Sequence, residues 1–457
     1  MVAAVRAVWL FRKLLGAIYA IAFGSLAVQI AGLIGSNGIQ PAGSYLAGIA
    51  HALGPSRYWR VPTVFWLASS DLALRLACWA GVLFAILIVA GILERTALAA
   101  CYVLYLSFVT VGQDFLSFQW DSLLLETGFL AIFLGLSPVI VWMFRCLLFR
   151  LMLLSGAVKL LSGDPAWLTL AALKFHYQTQ PLPTPLAWYM QQLPGWFQEM
   201  SVVVMLAIEL VSPFLLFGPR KIRLWAGASL VILQVLILLT GNYTYFNWLA
   251  IALCVLLLDD APLTRPTGKL TDSVGWAVAA IILLMGGSLL LGEFLGVSFP
   301  PARIAPQFYI ANNYGLFAVM TTVRHEISIE GSNDGAAWRE YPFLYKPGDV
   351  SRPPRWVAPH QPRLDWQMWF AALGTYRDNP WLVNFVYRLL EGSPQVLALL
   401  GPNPFPSAPP RYIRALVYDY KFTGWRTRRE TGAWWKREPE GTYLPAVSLQ
   451  NFQPAPP

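Results

Sequence analysis

Nine stretches of mostly apolar residues, strung along the first 299 positions, limit what this chain can become more than any other feature. They run roughly over 14–34, 72–92, 95–111, 122–141, 144–161, 199–217, 222–240, 244–258 and 274–295. A helix that crosses a bilayer needs about 20 such residues, and in lipid only helices or closed barrels satisfy their own backbone groups. The third and eighth stretches are short, so eight or nine spans are expected. The first stretch lacks a small-residue cleavage site and is long enough to cross, which makes it an anchor rather than a removed signal. Composition agrees, because 56% hydrophobic and 12% charged residues with a mean hydropathy of +0.52 exclude an average soluble enzyme.

Charge divides the chain. Residues 1–299 carry 16 Lys+Arg and 12 Asp+Glu, whereas 300–457 carry 17 and 12 in about half that length. The expected organisation is a transmembrane domain over 1–299 and a water-exposed, β-rich domain over 300–457, joined by the Pro-containing segment SFPPARIAP (298–306). The net charge of +9 sits largely beside apolar runs, where anionic headgroups attract it. Membrane lipid is therefore an expected partner, and with no nucleic-acid motif in the sequence, nucleic acid is not.

Basic residues at helix ends orient the bundle. With the N-terminus inside, the inner side collects Arg6, Arg12, Lys13, Arg95, Arg145, Arg220, Lys221, Arg223, Arg265 and Lys269, against Arg57, Arg60 and Lys174 outside. Nine spans then place the last domain on the lumenal or extracytoplasmic side. Within it, His325–Glu330, a Ser332-Asn333-Asp334-Gly335 turn and Trp338–Tyr345 read as a hairpin, Tyr412–Phe422 as a further strand, and Trp381–Leu400 as helix. The tail from Pro439 is expected to be loosely held. Cys78, Cys101, Cys146 and Cys254 lie in or beside apolar runs, which argues against a disulfide framework, a CxxC centre or a Cys-ligated zinc.

The stretch from Asn312 to Gly374 holds YGLF, EGSNDG…W, YKPG…SRPP and PHQPRLDWQMWFAALG in that order. It closely resembles the hallmark region of the lipase maturation factors, multi-pass membrane proteins needed for certain secreted lipases to reach their active fold. FLSFQWDSLLLETGFL (115–130) and LKFHYQTQPLPTPLAWYMQQLP (173–194) resemble signatures of the same family. The resemblance implies a membrane-anchored maturation or chaperone role, with a secreted lipase or other exported protein as client. It also implies the endoplasmic reticulum membrane in a eukaryote, or the inner membrane in a bacterium, to which the short loops and compact length point. The EGSNDG…W segment further resembles a hairpin of discoidin-like jelly rolls, which implies a β-sandwich.

Several residues are candidates for chemistry. Asp121 and Glu126 begin a membrane helix, where carboxylates are costly enough to suggest function; as structural groups they would cap the helix or stay in interfacial water, and a spacing of five does not put them on one face. Lys159, in LLSGAVKLLSGDPAW, either loses its proton by desolvation and acts as a base or snorkels to the headgroups. The G-x-x-K-L…D-x-x-W pattern weakly resembles the membrane part of vitamin K-dependent carboxylases, in which the matching lysine is catalytic. His176 lies before Pro181, Pro183 and Pro185, which read as a stiff extended loop, either lining a polar cavity or docking on the outer domain. A membrane enzyme would need Lys159, Asp121, Glu126 and His176 to converge. Arg352, His360, Arg363, Asp365 and Trp366 form either a buried scaffold or a client-binding hot spot. Trp366 and Trp369 are expected to be buried. The four histidines, at 51, 176, 325 and 360, have no ligand spacing, and the usual catalytic and cofactor motifs are missing, so no metal or cofactor is expected.

Overall fold

A computed structural model describes residues 2–258, 268–297, 299–300 and 305–452. The bundle opens with α1 (Val2–Ala27), α2 (Asp71–Ala90) and α3 (Glu94–Val111), followed by α4 (Gln119–Phe133) and α5 (Val139–Leu161). Two short helices, α6 (Ala172–Thr179) and α7 (Pro185–Gln191), lead into a hairpin of α8 (Gly195–Leu215) and α9 (Arg220–Thr240), and α10 (Phe246–Val255) and α11 (Lys269–Leu295) complete the helical part. Among the described residues seven helices are long and apolar enough to cross a membrane: α1, α2, α3, α5, α8, α9 and α11. The expected eight or nine spans thus resolve, among the described residues, into seven long helices and one shorter apolar one, α10, while the run at 122–141 gives the 15-residue α4.

Local chemistry sets these limits. Ser70 caps α2 by accepting from Ala73 N–H, and Gly91, at φ 81°, ends it. The run at 122–141 breaks after Phe133, where Gly135 adopts φ 93° and Pro138 starts the next helix. The run at 14–34 breaks at Gln29, whose buried side chain turns to the last domain, bonding Gln361 O and Arg363 N–H. Helix α5 is the centre of the bundle, with most of its residues buried. It nevertheless carries Arg145, Arg150 and Lys159, all buried, so partners must be supplied from other helices.

The last domain is one antiparallel sheet with helices packed on it. Strands β1 (Arg324–Ser332), β2 (Arg339–Glu340), β3 (Tyr412–Phe422) and β4 (Trp435–Val447) lie in the order β2-β1-β3-β4. Helices α12 (Arg363–Ala371) and α13 (Pro380–Leu390) precede β3, and α14 (Trp425–Thr431) connects β3 to β4. The helical bundle followed by a sheet domain stands as expected, but the sandwich becomes, among the described residues, a single sheet. Ile327, Ile329, Ile413 and Ala415 are buried in one hydrophobic core with Leu382 and Phe385 of α13, so helices take the place of a second sheet.

Three finer expectations change. The return strand at Trp338–Tyr345 shrinks to Arg339–Glu340 plus one bond from Tyr341 N–H to Ile329 O, because Pro342 has no N–H to continue the ladder. The helix at Trp381–Leu400 breaks at Gly392 (φ 72°) and restarts at Pro394. The tail past Pro439 is no loose end: β4 pairs with β3 as far as Val447. The Ser332–Gly335 turn forms as expected, with Asp334 Oδ1 accepting from Ala336 and Ala337 N–H at 2.8 Å each. Arg265 and most of the 298–306 linker lie outside the described residues. One hydrophobic cluster runs from Phe11 in α1 to Leu444 in β4, so the two parts share a core.

Candidate functional site

The carboxylates of α4 fasten the sheet domain to the bundle. Asp121, fully buried, accepts from Arg363 at 2.9 and 3.1 Å and from the hydroxyls of Tyr105 (2.5 Å) and Tyr245 (3.0 Å). Glu126, a turn and a half further on, pairs with Arg150 of α5 and accepts from Asn312 N–H (2.9 Å), Asn312 Nδ2 (3.0 Å) and the Tyr314 hydroxyl (2.9 Å). Each carboxylate therefore has a cation and further donors, which is what a buried charge needs. The five-residue spacing sends them to two different partners.

The expected hot spot faces inward. Arg363, Asp365 and Trp366 are buried. Asp365 accepts from Tyr345 and Lys346 N–H at 2.9 and 2.8 Å; burial pushes its carboxyl up to about 6 against the opposing pull of those bonds and of Lys346 and Arg352. Arg352 donates to the carbonyls of Phe343 and Lys346. His360 Nδ1 lies 2.9 Å from Ser25 Oγ of α1. Arg352 and His360 are half-buried, whereas the other three are buried.

Beside this joint, α5, α8, α9 and α12 enclose a cavity of about 750 Å³ whose wall is mostly apolar. Lys159 Nζ donates to Glu209 Oε2 and to Ser155 O, each at 2.7 Å, with the two side chains only 4% and 8% exposed. His176 also lines the cavity, with Nε2 3.3 Å from the Tyr243 hydroxyl and its ring edge-on to Phe317. Burial, reinforced by the Lys159 charge, lowers its pKa to about 4, so the imidazole is neutral at pH 7. Trp366 and Trp369 line the wall on the side of the sheet domain, Trp369 anchored by a 2.7 Å bond to Thr179 O. Tyr189, on the same wall, belongs to an aromatic cluster in which the Arg428 guanidinium lies 3.4 Å from the Trp434 ring centre and 4.4 Å from that of Trp188. Trp425 packs edge-on against Trp188 and is 53% exposed.

Residues 6–265 match the family model described as the lipase maturation factor transmembrane domain, and residues 310–445 match the lipase maturation factor C-terminal domain. The chain belongs to the lipase maturation factor family. It is 35% identical to Lipase maturation factor 2 of Gallus gallus over 96% of this chain and 81% of that protein, and 35% identical to the Homo sapiens protein of the same name over 96% and 82%. Its identity to Lipase maturation factor 1 of Mus musculus is 34%, over 97% and 88%. No solved structure matches it.

In this chain the four residues that the enzyme reading requires do not form one site. Lys159 pairs with Glu209 rather than with Asp121 or Glu126, which are engaged by Arg363 and Arg150. Only Lys159 and His176 reach the cavity wall. His176 belongs to α6 rather than to an extended loop, since the prolines begin only after Gln180 and Pro185 opens α7. Glu209, Arg150, Tyr105 and Tyr245 were not singled out from the sequence. Glu209 and Arg150 are ionisable residues inside apolar runs, so the criterion that marked Asp121 would have found both; the tyrosines carry no such signal.

Proposed function

We propose that this chain is a membrane-anchored maturation factor for secreted lipases, the role named by its relatives, and that it binds the client noncovalently through the sheet domain on the lumenal or extracytoplasmic side. The observation that carries the reading is the aromatic–arginine cluster around Trp425. An exposed indole backed by Trp188, Trp434 and Arg428 offers a rigid surface of the kind that holds apolar segments of an immature protein. The inward-facing Arg363, Asp365 and Trp366 would support this surface by fixing the domain to the bundle.

The rival reading, a membrane enzyme with Lys159 as base, draws on the shared cavity wall of Lys159 and His176. It would require Glu209 to release the amine.

Co-expression with a secreted lipase, in cells lacking their own maturation factor, tests the proposal. Active lipase should appear in the medium, and Trp425→Ala should reduce client crosslinking severalfold with an unchanged melting temperature. Wild-type protein that yields no active lipase overturns the role. Crosslinking indifferent to Trp425 moves the client surface elsewhere.

A further inference from the structure

Trp196, Met200, Val203, Val204, Val211 and Phe214 are exposed along one stripe of α8, a helix long and apolar enough to span, so this stripe faces lipid. Trp196, 66% exposed in the first turn, marks the end of the stripe at the headgroup layer, where indoles collect. The loop between α1 and α2 sets a second exposed indole, Trp59, against Phe308, at the end of the bundle that the sheet domain covers.

The exposed surface does not stop with α8. It continues through Leu193 and Tyr189 to Trp425 of α14, whose ring lies 5.6 Å from that of Tyr189. Gln192 Nε2 donates to Thr423 O at 3.2 Å, which fixes the start of α14 beside the start of α8. The sheet domain thus brings one of its helices to the level at which α8 leaves the bilayer.

That helix is basic, with Arg426, Arg428 and Arg429 against Glu430. Arg428 turns inward over the Trp434 ring. The other two arginines, three positions apart on the outer face, remain for a partner. Arg426 meets Glu430 at 2.8 Å, but with side chains 90% and 58% exposed the pair holds weakly. Arg429 makes no hydrogen bond or ion pair among the described residues. The adjoining stretch of α7 and α8 carries one acidic residue, Glu199, held by Lys174 at 2.6 Å, so little there repels an anion. A planar guanidinium takes phosphate oxygens two at a time, and an anionic leaflet adds a general attraction for arginine.

We propose that α14 docks on anionic phospholipid in the leaflet at the outer end of α8, with the Arg426 and Arg429 guanidinium groups on headgroup phosphates. The contact goes beyond the client reading, rests on different side chains, and seats the Trp425 surface next to the bilayer.

The test uses the full chain in nanodiscs with no client present. A bimane on Thr427→Cys, in a background lacking the native four cysteines, reports the approach of α14 to a phospholipid spin-labelled at its headgroup. Quenching should be stronger in phosphatidylcholine discs that contain phosphatidylserine than in phosphatidylcholine alone, and should fall at high salt. Arg429→Gln should weaken docking about fivefold, the loss expected for one arginine at an anionic surface. Arg426→Glu/Arg429→Glu should abolish the gain from phosphatidylserine at an unchanged melting temperature. Quenching that is absent, or indifferent to phosphatidylserine and to salt, overturns the proposal, and so does a gain that survives the double charge reversal. Should the double variant fail to fold, the wild-type lipid and salt responses decide. A lipase that matures normally with the doubly reversed variant leaves the lipid contact to be judged on quenching alone, so the two readings fail separately.

Discussion

Arg363 Nη2 lies 2.9 Å from Asp121 Oδ1, and neither side chain is more than 1% exposed. The pair joins α12 of the sheet domain to α4 of the bundle, and Tyr105, Tyr245 and Phe115 O complete its hydrogen bonds. Removing one member of such a pair leaves the other charged and buried. Arg363→Met should therefore cost about 3–5 kcal/mol, read as a lower melting temperature of the full chain in detergent. The double variant Asp121→Asn/Arg363→Met should recover part of that loss, and a double variant that loses the sum of the single losses would show the two residues to be uncoupled.

Lys159→Met should behave in the same way, because Glu209 would be left unpaired beside the cavity. Reduced expression, partly rescued by Glu209→Gln, marks a structural ion pair. A well-expressed Lys159→Met protein that loses lipase maturation would instead favour the enzyme reading.

Trp369 holds α12 against the C-terminal end of α6 through its bond to Thr179 O, and Trp366 packs against Trp120 and Tyr243. Trp→Ala at either position should destabilise the protein by about 3–5 kcal/mol. Thermal unfolding checks this; an unchanged transition with lost client capture would make the residue a surface contact.

Acid should loosen the junction through its histidines. Burial holds His360 below its usual value, with Arg363 adding to the effect, and His176 is lowered to about 4. Unfolded histidine takes up a proton near about 6.5, so both contributions are complete above that pH and are lost as the pH falls below it, that of His176 as the pH passes about 4. Asp365, raised to about 6, acts in the opposite sense: its contribution is complete below the unfolded carboxyl range and is lost as the pH rises through 6. Comparison of wild type with His176→Phe isolates the histidine. The variant should lose less stability between pH 6.5 and about 4, and parallel curves would contradict the assignment.

The proposed sidedness rests on α11, a 27-residue helix long and apolar enough to cross a membrane between Lys269 and the sheet domain. Single cysteines at Lys269 and at the exposed Ser407, in a background lacking the native four, should react with impermeant reagents from opposite sides of the membrane. Reaction from one side would remove the sheet domain from contact with secreted clients.

The sequence by itself determined the helical bundle, the sheet domain and the family, because apolar run length, strand alternation and long ordered motifs are local properties of the chain. It also marked Asp121, Glu126, Lys159, Arg363 and Trp366 as unusual. Tertiary structure alone decided their partners. Asp121 meets a cation 242 positions away, and Lys159 meets Glu209 on a helix 50 positions on. Hydropathy shows that a buried charge must be neutralised, but which oppositely charged group reaches it depends on how helices pack across the bundle, and that packing also leaves the cavity between α8 and α9.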